Sequence, residues 1–259
     1  MMTVMSTVLA DRQVILPIDY EKIASQFPAP SIQRQSGNGP YYGTMSRITQ
    51  IVDEIKHLPN PYASLAIHGL EEHWDKLSKS ADKSADQLSN RHRYPSGILA
   101  HLWSVLKVLR FIFQGSNPIK AMEDITRKLK QERELSDYAV TGVESFALPQ
   151  VASIEYLDDI IRMTHRAIDS LHDLPSYTNC IAGAVFTDIG KLVTEADVSP
   201  CTFGAECLIE LSIRNGMSFE EIASVHEIVA VPPNPNASYP FLPDAWILLF
   251  ASYLADKMG

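Results

Sequence analysis

Long apolar runs, paired cysteines and an excess of basic residues are all missing from this 259-residue chain. No stretch approaches the ~18 unbroken apolar residues that a membrane span requires. The nearest, Trp246 to Ala255, is far shorter, so no membrane association is expected. The three cysteines, Cys180, Cys201 and Cys207, are odd in number and form no Cys-x-x-Cys pair. That excludes a disulfide framework and predicts free thiols in a reducing cytoplasm. Lys and Arg total 22 against 31 Asp and Glu, a net charge of -9. A broad nucleic-acid-binding face needs positive surface and is therefore not expected, although a local basic pocket remains compatible with this balance. Met1 to Ala10 place no Lys or Arg ahead of their apolar residues, so no signal peptide is expected. Strand-type alternation and internal repeats are absent as well.

What the chain does have is helical periodicity, and at 46% apolar residues it has the material for a sizeable core. Met45, Ile48, Ile51, Val52, Ile55 and Leu58 recur at three and four, which predicts an amphipathic helix over 44–58. Similar patterns predict helices at 19–27, 62–77, 97–113, 119–138, 154–171, 177–194, 203–215, 218–229 and 242–258. Ser218 followed by Glu221 is a capping-box pattern. Residues 31–43 read as a loop, and the five prolines within 232–243 as a rigid one. The expected architecture is all-α.

One helix carries an anomaly. Ala182 to Leu192 is apolar except for Asp188, Thr187 and Lys191. A carboxylate in such a run is costly unless a metal, a lysine or a histidine pairs with it. Lys191 lies three residues on, on the same face, and is either an ion-pair partner or a phosphate contact. His101 and Asp256 interrupt two other apolar helices and are candidates to converge on Asp188.

Three segments taken in order, Arg91 to His101, Phe186 to Lys191 and Tyr253 to Lys257, resemble the ordered motifs of the HD superfamily of metal-dependent phosphohydrolases. The first is similar to the His-His-x-Tyr-x-Gly-Gly-Leu-Leu-x-His version found in HD exonucleases and in one class of conjugative relaxases. The resemblance covers roughly 90–113 and 177–258. It implies an HD-like helical domain over 90–259, with an N-terminal helical extension over 1–89 and inserted helices within 115–176. It implies a divalent metal ion (Mn, Fe, Co, Mg or Zn) held by His101, Asp188 and Asp256. Asp188 would serve catalysis, and Lys191 would neutralise charge on a nucleotide or oligonucleotide phosphoester. Arg91 and Arg93 would hold phosphate, and His92 and His226 would be additional site residues.

The chain also departs from that pattern. Thr187 stands where the family has the histidine of its His-Asp pair, and a hydroxyl is a far poorer ligand than imidazole. Pro200 and Cys201 precede Phe203-Gly204-Ala205, where a further family histidine is missing. Glu195, Asp197 or Cys201 are candidate replacements. For the last carboxylate, Asp256 matches locally, while Ser252 lies one turn earlier on the same face. Two functions follow as expectations. One is a metal-dependent phosphohydrolase. The other is a catalytically inactive HD-like module used for ligand binding, regulation or assembly. His57, His68, His73, His165 and His172 have no partner pattern and read as surface residues, and the cysteines read as core.

Overall fold

A computed structural model describes residues 44–80, 96–115, 117–139, 154–170, 174–193, 198–231 and 241–258. Among them all regular structure is helical: α1 (Thr44–Ile55), α2 (Tyr62–Lys79), α3 (Gly97–Phe113), α4 (Pro118–Ala139), α5 (Ile154–Asp169), α6 (Tyr177–Gly190), α7 (Pro200–Arg214), α8 (Phe219–Ala230) and α9 (Pro243–Met258). The predicted helix at 19–27, the loop at 31–43 and residues 232–240 lie outside the described residues.

Local signals fix the helix starts. Ser176 accepts a hydrogen bond from the Asn179 N–H, and Ser199 accepts one from Thr202 ahead of Pro200 at the first helical position. Ser218 and Glu221 form the reciprocal capping box. Asn117 Oδ1 accepts from the N–H groups of Ile119 and Lys120, so α4 begins at Pro118. Asp244 does the same work between elements. Its carboxylate accepts from the Ser176 N–H at 2.6 Å and from Asn179 Nδ2 at 3.0 Å, tying the start of α9 to the start of α6.

Helix α6 is buried on every side from Cys180 to Gly190 apart from Thr187, as befits a central helix. It packs against α2, α3, α7, α8 and α9. Its crossing with α7 depends on two glycines. A Cβ on Gly190 would lie 2.2 Å from the Pro200 carbonyl oxygen, and one on Gly204 would lie 2.4 Å from that of Phe186. Only a glycine hydrogen fits between the two helix backbones. Helix α6 stops at Gly190, short of the predicted Thr194. Lys191 caps it, and Leu192 and Val193 close with i to i+3 bonds to Ile189 and Gly190.

One hydrophobic core runs from Ile48 in α1 to Ala255 in α9. Helices α1 and α2, which the resemblance leaves in an N-terminal extension, supply Ile51, Ile55, Leu65 and Leu70 to that same core. Helices α4 and α5 pack on each other, and they join the body through α3 and α9 respectively. No single described helix is long and apolar enough to cross a membrane. Helices α3 and α4 pass such a test only as a pair, across a 110° bend.

Candidate functional site

The core closes over a cluster of charged and polar side chains. His101 of α3 and Asp188 of α6 are each 2% exposed. His101 Nδ1 lies 3.1 and 3.0 Å from the two Asp188 carboxylate oxygens. Lys191, just past the end of α6, places its Nζ 2.9 Å from Asp188 Oδ1 and 3.1 Å from His101 Nδ1. On the opposite edge of the ring, Nε2 lies 3.2 Å from Ser252 Oγ and 3.4 Å from Asp256 Oδ1, both on α9. The two candidates for the last position, Ser252 and Asp256, thus both reach the same nitrogen from successive turns of one helix face.

Imidazole chemistry permits two neutral arrangements here. With the proton on Nδ1, the ring donates to Asp188 and Nε2 accepts from the Ser252 hydroxyl. With the proton on Nε2, the ring donates toward Ser252 and Asp256, and Nδ1 accepts from the Lys191 ammonium. Imidazolium would donate to a carboxylate at each edge. In every form Asp188 keeps the Lys191 ammonium as its counter-charge. A buried carboxylate so compensated is tolerable, whereas one left alone is not.

The residues do not fit a metal ion in this arrangement. A shared ion needs one imidazole nitrogen and two carboxylate oxygens about 2.0–2.2 Å from a single point. Here the two carboxylates occupy opposite edges of one ring, and the Lys191 ammonium lies where Asp188 and Nδ1 converge. Among the described residues no group of three or more His, Cys, Asp or Glu side chains is arranged to hold a metal.

A cavity of about 60 Å³ adjoins the cluster. His101, Thr187, Asp188 and Ser252 line its polar end, and Val105, Ala184, Ile228, Ala245, Leu248 and Leu249 form its apolar wall. Thr187 is half-buried, lines the cavity and directly precedes Asp188 in the chain. The apolar wall was not foreseen from sequence, because ordinary core residues supply it and only their convergence marks them.

Other expected site residues lie elsewhere. His226 is on the far face of α8, with its ring 5.3 Å from that of Phe219, while Ile228 of the same helix reaches the cavity. Cys201 sits half-buried in the first turn of α7, with burial pushing its thiol up. Arg91, His92, Arg93, Glu195 and Asp197 lie outside the described residues. Two of the histidines read as surface residues are half-buried and engaged. His68 Nδ1 is 3.0 Å from Asn215 Oδ1, and His73 Nδ1 is 3.0 Å from the Gly69 carbonyl oxygen. Of the cysteines read as core, only Cys180 is buried. No protein-family model, curated protein or solved structure matches this chain.

Proposed function

We propose that this chain is an HD-like ligand-binding module that works without metal-dependent hydrolysis, the Lys191 ammonium taking the place of the cation. The observation that carries this reading is the position of Nζ, 2.9 Å from Asp188 and 3.1 Å from His101. An ammonium there neutralises Asp188 as a divalent ion would. It offers neither an open coordination position nor a bound water of lowered pKa, which are what metal-assisted hydrolysis uses. Thr187 in place of an imidazole supports the same reading. The cavity, lined by His101, Thr187 and Ser252 on one side and by apolar residues elsewhere, has room at about 60 Å³ for only a few heavy atoms, so a ligand would enter it with one small polar group.

The test compares phosphoester turnover of the unmodified protein with that of Asp188→Ala. Mononucleotides and short oligonucleotides serve as substrates, with Mn²⁺, Co²⁺, Zn²⁺ or Mg²⁺ added. Equal, background-level rates are expected. Metal-dependent turnover that Asp188→Ala abolishes would overturn the proposal and support hydrolysis at this site. The paired substitution Thr187→His with Lys191→Ala is expected to raise cobalt uptake without creating turnover.

A further inference from the structure

A second chemically pointed pair lies away from this cluster, where α2 packs on α7. The His73 Nδ1 is 3.0 Å from the Gly69 carbonyl oxygen, which can only accept. The ring proton is therefore on Nδ1, and Nε2 presents its lone pair to the Cys207 thiol, 3.7 Å from Sγ. The S–H donates and the ring nitrogen accepts. The Phe203 ring, one turn before Cys207 on α7, meets the imidazole edge-on, with centroids 6.2 Å apart and planes at 88°. Cys207 and His73 are both half-buried, so neither is sealed in the core.

A nucleophile hydrogen-bonded to a base, with the base's far N–H held by a third group, is the arrangement that activates a thiol for attack. Here the three parts are the Cys207 sulfur, the His73 imidazole and the Gly69 carbonyl. The other cysteines lack it. Cys180 is buried, with its Sγ 3.6 Å from the Asp244 carbonyl oxygen. Among the described residues no imidazole is hydrogen-bonded to Cys201.

We infer that Cys207, with His73 as its base, is the thiol of this chain that exchanges with disulfides, and that it takes cationic disulfides ahead of anionic ones. The charge preference follows from the setting. Glu210, Glu206 and Glu72 act on the sulfur, against Lys76 alone on the positive side. Burial first, and then these carboxylates, push the Cys207 thiol up. Little thiolate therefore stands ready at rest, and the proton has to move as the new bond forms. His73 Nε2 takes that proton while Sγ attacks one sulfur of the incoming disulfide. The Sγ–S bond forms, the disulfide S–S bond breaks, and the departing sulfur leaves as a thiolate that recovers the proton from the imidazolium. Cys207 ends oxidised as a mixed disulfide, and the departing half ends reduced as a free thiol.

The experiment exposes the folded full chain to cystamine (a dication), hydroxyethyl disulfide (neutral) and dithiodipropionate (a dianion). Cleavage after Glu206 separates Cys201 from Cys207, so mass spectrometry of the quenched digest gives the rate at each thiol. Dividing by the rate of N-acetylcysteinamide removes the intrinsic differences between the three probes. Cys207 is expected to react first. Its normalised rate should favour cystamine over dithiodipropionate roughly tenfold or more at low ionic strength, a ratio that shrinks as salt is added. His73→Gln should slow the Cys207 reaction roughly tenfold or more at neutral pH and leave it nearly unchanged at alkaline pH, where the thiol ionises unaided. A variant that had merely loosened the fold would instead react faster at every pH. The inference fails if Cys201 reacts as fast as Cys207, or if His73→Gln reacts at neutral pH as fast as the parent. It fails equally if the normalised rates for the dication and the dianion are the same.

Discussion

Adding a single methyl group where α6 and α7 cross tests the packing that carries the site. In Gly204→Ala the new Cβ would stand 2.4 Å from the Phe186 carbonyl oxygen, 3.3 Å from its carbon and 3.1 Å from Val229 Cγ1. Ordinary contact begins at 3.4 Å, so the two backbones must separate by about an ångström. Neither can yield locally, because the obstacle is main chain within a hydrogen-bonded helix. A radial gap of 0.5–1 Å forfeits roughly a quarter to a half of each dispersion well along the seam, and overpacking of this kind costs about 1–3 kcal/mol or more. Ala in a helix interior returns about 1 kcal/mol relative to Gly. A net loss of roughly 2 kcal/mol is expected, or a fall in Tm of about 4–8 °C for a chain of this size. Gly183→Ala supplies the internal comparison. There the new Cβ meets side chains, Ile228 Cγ2 at 3.0 Å and Leu248 Cδ2 at 3.3 Å, which can give way, so the loss should be smaller. Urea titration followed by far-ultraviolet circular dichroism measures both variants. A Gly204→Ala midpoint equal to or above that of the parent would refute the close approach.

Lys191→Met leaves the Asp188 carboxylate buried without its ammonium and should cost about 3–5 kcal/mol by chemical denaturation, with Asp188→Asn added in the same chain recovering part of the loss. Ser96, at φ 66°, opens α3 in the left-handed region with no side-chain cap bond. Ser96→Gly should therefore raise stability by about 1 kcal/mol, read as an upward shift of the urea midpoint. Asp244→Ala orphans the Ser176 N–H and the Asn179 amide and should lose about 1–3 kcal/mol, with amide exchange quickening in the first turn of α6. The Arg214 guanidinium, hydrogen-bonded to Glu72, holds that carboxyl below its usual range. Its contribution is fully present above the ordinary carboxyl range and is lost as pH falls through the depressed value. In a low-salt acid titration of stability, Arg214→Gln should remove this small, salt-sensitive component.

Most helices were legible because amphipathic spacing and capping residues agreed, as at Thr44–Ile55 and at the Ser218–Glu221 box. Boundaries slipped at two prolines: the expected helices at 119–138 and 203–215 begin instead at Pro118 and Pro200, which occupy first helical positions behind Asn117 and Ser199. Asp188 stood out because a carboxylate in an apolar helix demands a partner. Spacing along α6 left Lys191 as one of two possibilities, ion-pair partner or phosphate contact. His101 gave no such demand by itself, since a core histidine and a ligand look alike in sequence. The apolar cavity wall and the Cys207–His73 pair were illegible for a different reason. Their members are far apart along the chain, and each has an ordinary local context.

The clasp made by Asp244 fixes more than a helix end. Ser252 and Asp256 lie a little over two and three turns further along α9, about 12 and 18 Å at 1.5 Å per residue. Because α9 is pinned at its first turn to Ser176 and Asn179, both side chains inherit their rotation from that anchor. One residue inserted between Ala245 and Ala251 would swing the pair by about 100° around the axis and carry hydroxyl and carboxylate together off the imidazole. The same insertion after Asp256 would leave them in place. The phase of this helix, set far from the histidine, therefore acts as an indexing stop for that edge of the ring.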